Sequence, residues 1–266
     1  MARTRVRIPA LLALTVPLPL LTGCGDGGGP SADAGHAHQG KPAVVVTTTW
    51  EGGIARAAGA EDIEVIVEQS VRHAPDYDPK PSDLVTVAEA DFVLYAPFEP
   101  YAAEIKEAAG SKAKLVEVNL DNDPEKLSAE VARLAGLFGT EPAAERWKKD
   151  FDAEYARLNK DLRAAWPGGR SPVVVSQVFT AWAAKLAGAT TTGTFGPEAV
   201  TPAQLAELSA KKPALVLDNA HMSTGTVLPD SGAEQITIVN YPGDDLDLIS
   251  VHRDAAAELK KAMKDS

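Results

Sequence analysis

The sequence predicts an α/β protein of two related lobes, each a mostly parallel sheet flanked by helices, bridged by one long helix with a ligand cleft between the lobes. Three observations carry that prediction. Between Thr140 and Trp166 the residues Trp147, Phe151, Tyr155, Leu158, Leu162 and Trp166 form one apolar stripe at helical period, while Glu145, Lys148, Lys149, Asp152, Lys160 and Arg163 fall off it. On either side, Val44-Val45-Val46-Thr47 followed by Ile54-Ala55-Arg56-Ala57-Ala58-Gly59-Ala60 is answered, at a constant offset, by Val173-Val174-Val175-Ser176 followed by Ala183-Ala184-Lys185-Leu186-Ala187-Gly188-Ala189. A second pair follows in each half: helix patterns starting at Pro81 and Thr201 run into the strand patterns Asp91 to Tyr95 and Ala214 to Asp218.

Taken in order, residues 1–23 read as a signal peptide. Arg3, Arg5 and Arg7 are its basic start and Ile8 to Leu21 its apolar core, too short to cross a bilayer. Leu21-Thr22-Gly23-Cys24 resembles the lipobox of bacterial lipoproteins. The resemblance implies lipidation at Cys24 and a protein held outside the cytoplasm on the cell membrane. Cys24 is also the only cysteine, which excludes disulfides and thiolate metal sites from the rest of the chain. Residues 24–42 hold glycines, Pro30 and Ser31 without an apolar stripe, the composition of a flexible tether. His36 and His38 within it are either weak metal scavengers or solvated side chains. Loss of the three leader arginines takes the formal charge from −11 to −14. An acidic surface of that size argues against nucleic acid.

The N-terminal lobe, residues 43–139, reads as strands Ala43 to Thr49, Ile63 to Glu68, Asp91 to Ala96 and Lys114 to Asn119, with a helix over Gly52 to Gly59. Asp123 caps a further helix that has Pro124 at its first position. Residues 140–167 are the bridging helix, ended by Pro167-Gly168-Gly169. The C-terminal lobe, residues 168–266, reads as strands Pro172 to Gln177, Ala214 to Asp218 and Gln235 to Asn240. Its helices are placed over Val178 to Leu186, after the capping box Thr201-Pro202-Ala203-Gln204, and over Ser250 to Lys264. Parallel sheets bind ligands beyond the carboxyl ends of their strands. That rule puts Thr48, Thr49, Trp50, Glu51, His73, Tyr95 and Phe98 on one rim, and Ser176, Gln177, Asp218, Asn219, His221, Asn240 and Tyr241 on the other.

Thr47-Thr48-Thr49-Trp50-Glu51-Gly52-Gly53, then Tyr77-Asp78-Pro79-Lys80-Pro81-Ser82-Asp83, then Ala88-Glu89-Ala90-Asp91-Phe92-Val93, together with the long helix between the lobes, resemble the zinc/manganese-binding receptors of bacterial ABC importers. The resemblance covers nearly all of the chain after Cys24. It implies a solute-binding lipoprotein that carries a divalent metal between its lobes to a membrane permease, and a monomer is expected. Four ligand positions are implied, and the chain departs from most of them. Pro75 stands where a histidine is usual, with His73 two residues earlier; Gln177 stands for a second histidine; Asp218 keeps an acidic ligand, with His221 three residues on; Asn240 stands for an aspartate. His73, Asp218 and His221 are therefore the expected metal ligands, zinc or manganese being the metal, with Gln177, Asn240, Glu51 or water completing the set.

Neutral amides are poor zinc donors, and manganese is more tolerant of oxygen. Trp50, Tyr95, Phe98, Phe179, Trp182 and Tyr241 surround the predicted cleft, which suits a chelated metal or a small organic solute as the alternative cargo, with Trp182 expected in the core. His252 shares a helical face with Ala256, Leu259 and Met263 and is read as packing. No nucleophile elbow, phosphate loop or His-Glu-x-x-His motif occurs, so a binding protein is expected and not an enzyme.

Overall fold

A computed structural model describes residues 41–71, 76–223 and 225–265. The signal peptide, Cys24, His36, His38, His73 and Pro75 lie outside them.

The first sheet is built from β1 (Ala43–Thr48), β2 (Asp62–Val67), β3 (Phe92–Tyr95) and β4 (Lys114–Glu117), all parallel, in the order β2-β1-β3-β4. Helices α1 (Thr49–Ala57), α2 (Pro81–Glu89), α3 (Ala102–Ala109) and α4 (Pro124–Phe138) connect and follow these strands. Strands buried on both faces need apolar residues of both parities, and β1 shows why. Val44 and Val46 pack with Ile54 of α1 and Leu127 and Val131 of α4, while Val45 packs on the other face with Val87 of α2 and Ile105 of α3.

Helix α5 (Glu141–Ala164) has 24 residues and so spans about 36 Å. Its stripe divides between two cores: Phe151 belongs to the N-terminal lobe, and Leu158 and Leu162 to the C-terminal one. Thr140 precedes the helix without capping it. Its hydroxyl donates to Ala58 O at 2.5 Å, and Gly59 lies so close that a Cβ there would meet Ala143 at 2.7 Å. The start of α5 is thereby fastened to the end of α1.

The second sheet repeats the first. β5 (Val173–Gln177), β6 (Thr190–Phe195), β7 (Leu215–Asn219) and β8 (Glu234–Ile238) are parallel in the order β6-β5-β7-β8. Helices α6 (Ala181–Leu186), α7 (Pro202–Ala210) and α8 (Leu248–Asp265) complete the lobe. The capping box at Thr201 forms as expected, with Pro202 in the first turn. No helix among the described residues is long and apolar enough to cross a membrane.

Three expectations need correction. Residues 178–180 are a turn and not the start of α6, because Gln177 Oε1 accepts from Phe179 N–H at 2.6 Å and Thr180 Oγ1 donates to Gln177 O at 3.0 Å. The strand β6 had no apolar signature, since this sheet edge runs Thr190-Thr191-Thr192-Gly193-Thr194-Phe195, with exposed and half-buried positions alternating and only Phe195 buried. The offset between the lobes is also not constant. Asp91 N–H donates to Ala43 O as Ala214 N–H does to Val173 O, so β1 and β5 correspond there, yet Gly59 lies sixteen residues beyond Ala43 and Gly188 only fifteen beyond Val173. One residue is lost in the β5–α6 connection, where the turn shortens the helix.

Candidate functional site

Both sheets send their carboxyl ends toward one seam. On the N-terminal side β1 passes directly into α1 through a capping box: Trp50 N–H donates to Thr48 Oγ1 at 3.2 Å, and Thr48 N–H donates to Glu51 Oε2 at 3.1 Å. An orphan helix N–H satisfied this way fixes the direction of the first turn. The consequence is that Trp50 is held at the rim while Glu51 is turned inward and fully buried.

From there a chain of hydrogen bonds crosses to the other lobe. Trp50 Nε1 donates to Asn122 Oδ1 at 3.3 Å, and Asn122 Nδ2 donates to the Asn240 carbonyl at 2.6 Å. Thr49 Oγ1 donates to the Pro242 carbonyl at 2.9 Å. The Asn240 side chain is held from within its own lobe, Oδ1 accepting from Trp182 Nε1 at 2.8 Å. Trp182 is buried in the core, as expected. Tyr241 carries the aromatic face of the seam. Its ring stacks on His221 at 3.8 Å and 25°, its hydroxyl bonds His221 Nδ1, and the Trp50 ring lies 5.9 Å away on the N-terminal side. Burial pushes the Tyr241 hydroxyl up to about 12, so it remains protonated, and the direction of its bond to Nδ1 follows the tautomer of His221.

The expected ligands are distributed unevenly around this seam. Asp218 is buried at the end of β7, and its carboxylate accepts from Asn219 N–H at 2.9 Å, from Ser223 Oγ and from Gln235 Nε2 at 3.4 Å. Gln177 uses its oxygen on the Phe179 turn, leaving Nε2 buried without a partner among the described residues, and Asn240 Nδ2 is in the same condition. Phe98 and Phe179 are exposed at the lobe tips. Tyr95 turns toward α3, with the Lys106 ammonium 4.5 Å from its ring centroid. Among the described residues no group of three or more histidine, cysteine, aspartate or glutamate side chains is arranged to hold a metal ion.

His252 is structural. It is boxed by Phe151, Tyr155 and Trp182, with Nδ1 3.2 Å from Leu248 O and Nε2 3.3 Å from Asn122 O. Burial lowers its pKa, so the ring is neutral and donates to one of the two carbonyls.

Two residues of the site escaped the sequence. Asn122 sits in Asn119-Leu120-Asp121-Asn122-Asp123-Pro124, where it reads as turn chemistry. Glu99 follows Phe98 in the loop after β3 and is only 7% exposed. An acidic residue just beyond the carboxyl end of a buried parallel strand is the signal that points to it.

No family model and no curated protein matches the chain. Among solved structures it is similar to the laminin binding protein Lmb of Streptococcus agalactiae, described as a bifunctional protein with adhesin and metal transporting activity. That pair has a TM-score of 0.60 at 16% identity over 84% of this chain and 98% of the other. The SBP FpvC from Pseudomonas aeruginosa in complex with Mn2+ gives 0.60 at 14% identity over 85% and 99%. A Mn-bound periplasmic metal binding protein from Candidatus Liberibacter asiaticus gives 0.57 at 12% identity over 84% and 100%. The chain shares their fold across almost their whole length.

Proposed function

We propose that this protein is an extracytoplasmic solute-binding receptor of a bacterial ABC importer, anchored by a lipid on Cys24, that carries a divalent metal, zinc or manganese, between its lobes and delivers it to a membrane permease. The observation that carries the reading is architectural. Two sheets of identical strand order meet along a seam at their carboxyl ends under one bridging helix, and similar structures are described as metal transporting or Mn-bound. Binding of this kind needs no catalytic group; cargo is captured, held by both lobes and released.

His221 and Asp218 are the donors on the C-terminal rim, and His73 is the N-terminal candidate. Histidine donors must be neutral to bind metal, so affinity falls as the pH drops below the ordinary histidine value. The alternative cargo, a chelated metal or small organic solute, is favoured by a separate observation: at the ends of β5 and β8, Gln177 and Asn240 keep buried amide nitrogens that have no partner among the described residues, and Asn240 adjoins the Trp50–Tyr241 aromatic pair. Such amides suit the oxygen atoms of an organic ligand.

The test is metal content and metal-dependent melting of the full-length chain, purified without a histidine tag, as wild type and as His73→Ala combined with His221→Ala. Zinc or manganese near one per chain is expected, with about 2.7 kcal/mol of stabilisation at a metal concentration 100 times the dissociation constant. The double variant loses both. A wild type that neither retains nor is stabilised by zinc or manganese overturns the metal reading and leaves the organic or chelated cargo.

A further inference from the structure

Beneath the N-terminal rim two carboxyls are enclosed together. Glu51 is wholly buried, and Glu99 nearly so. Glu99 accepts from Ala96 N–H at 3.0 Å and from the Tyr101 hydroxyl at 3.2 Å. Glu51 commits one oxygen to its capping box, and the other has no partner among the described residues. The Thr47 hydroxyl, 1% exposed, lies against Glu99 and has no other partner among the described residues. No ion pair reaches either carboxyl among the described residues.

This arrangement is incomplete as it stands. Glu51 accepts from Thr48 N–H at the end of β1 and Glu99 from Ala96 N–H just beyond β3, the neighbouring parallel strand, so the two carboxyls sit side by side and the charge of one opposes that of the other. Two carboxylates in one enclosure away from water do not both ionise unless a cation sits with them. Buried polar atoms in native proteins are satisfied, and here Glu51 Oε1 and Thr47 Oγ1 wait on the same pair. The Tyr101 hydroxyl donates to Glu99, and burial together with these two glutamates opposes its ionisation.

We infer that Glu51 and Glu99, with the Thr47 hydroxyl, form a cation site inside the N-terminal lobe that takes a hard divalent ion through oxygen donors. Carboxylate and hydroxyl oxygens without nitrogen or sulfur suit hard ions such as Mg2+, Ca2+ or Mn2+. The inference goes beyond the cleft reading, because Glu99 and Thr47 belong to no ligand set at the seam and every donor comes from one lobe. A filled site would lock the β1–α1 turn that aims Trp50, and so would stiffen the N-terminal rim whatever the cleft carries.

Mn2+ is the probe, since its paramagnetic signal from free ion disappears on binding. The full-length chain, stripped with chelator and without a histidine tag, is titrated with Mn2+ as wild type, Glu99→Gln, Glu51→Gln, Thr47→Ala, and His73→Ala with His221→Ala; circular dichroism establishes that each is folded. Glutamine keeps the shape of the carboxyl and removes its charge. Each glutamine variant is expected to lose one bound Mn2+ per chain or to bind it about tenfold or more weakly. Thr47→Ala shows a smaller loss, and the double histidine variant retains this ion. The inference is overturned if the folded wild type binds no Mn2+, or if Glu99→Gln and Glu51→Gln bind it as the wild type does. Failure of the cleft reading is seen separately, in the response of the double histidine variant.

Discussion

Asn122 is the residue on which the two rims meet. One amide accepts from Trp50 and donates to the backbone of Asn240, and its own carbonyl faces His252. Replacement by alanine leaves the Asn240 carbonyl and the Trp50 indole without partners in a buried seam, at a cost of about 1–3 kcal/mol. Urea unfolding of Asn122→Ala measures that loss, and an unchanged midpoint means that water replaces the amide freely. The sequence could not single out Asn122, because asparagine among aspartates before a proline has a sufficient local reason to be there. His221 was legible for the opposite reason, a titratable ring just beyond a buried strand. Its pairing with Tyr241 was not legible, since twenty residues separate them and only the sheet brings their ends together.

At the scale of elements, α5 and α8 are held by packing around His252 and by one ionic contact at the surface. Arg253 Nε of α8 donates to Glu154 Oε1 of α5 at 2.6 Å, and Arg157 takes both oxygens of the same carboxylate at 2.9 Å. The two arginines hold Glu154 down to about 2 from its ordinary 4.5. A carboxyl with a depressed folded pKa contributes stability that is complete above its unfolded value and is lost as pH falls through the folded one. Stability is therefore expected to drop as pH goes from about 4.5 toward 2, and to drop less in Glu154→Gln. Melting of both proteins across that window checks it; parallel curves would show that the contact contributes nothing. The helices were readable because an apolar stripe at period 3.6 is a property of the chain itself. Strand β6 was not, because an edge strand of threonines needs no apolar alternation, and α6 was read too long because the turn at Gln177 is made by side-chain hydrogen bonds that periodicity does not register.

For the whole molecule, the bridging helix is rooted in both cores and the seam is laced by direct hydrogen bonds between lobes. The closure on cargo proposed for this protein would then be a small rocking about a stiff connection and not a wide hinge motion. Small-angle scattering of the metal-stripped and metal-saturated protein is expected to give the same radius of gyration within error, and a clear contraction on loading would contradict this. The sequence by itself determined the two-lobe class, the parallel sheets and the long helix between them, because each rests on a local pattern of burial repeated along the chain. It also identified His221, Asp218 and the amides at Gln177 and Asn240 as residues at strand ends. Only the tertiary structure decided that Asn122 ties the rims, that Tyr241 stacks on His221, that Tyr95 turns toward α3, and that Glu51 and Glu99 are both buried beneath the rim. These are contacts between segments far apart in the chain, and their geometry is set by how the sheets and helices pack, which no local spacing encodes.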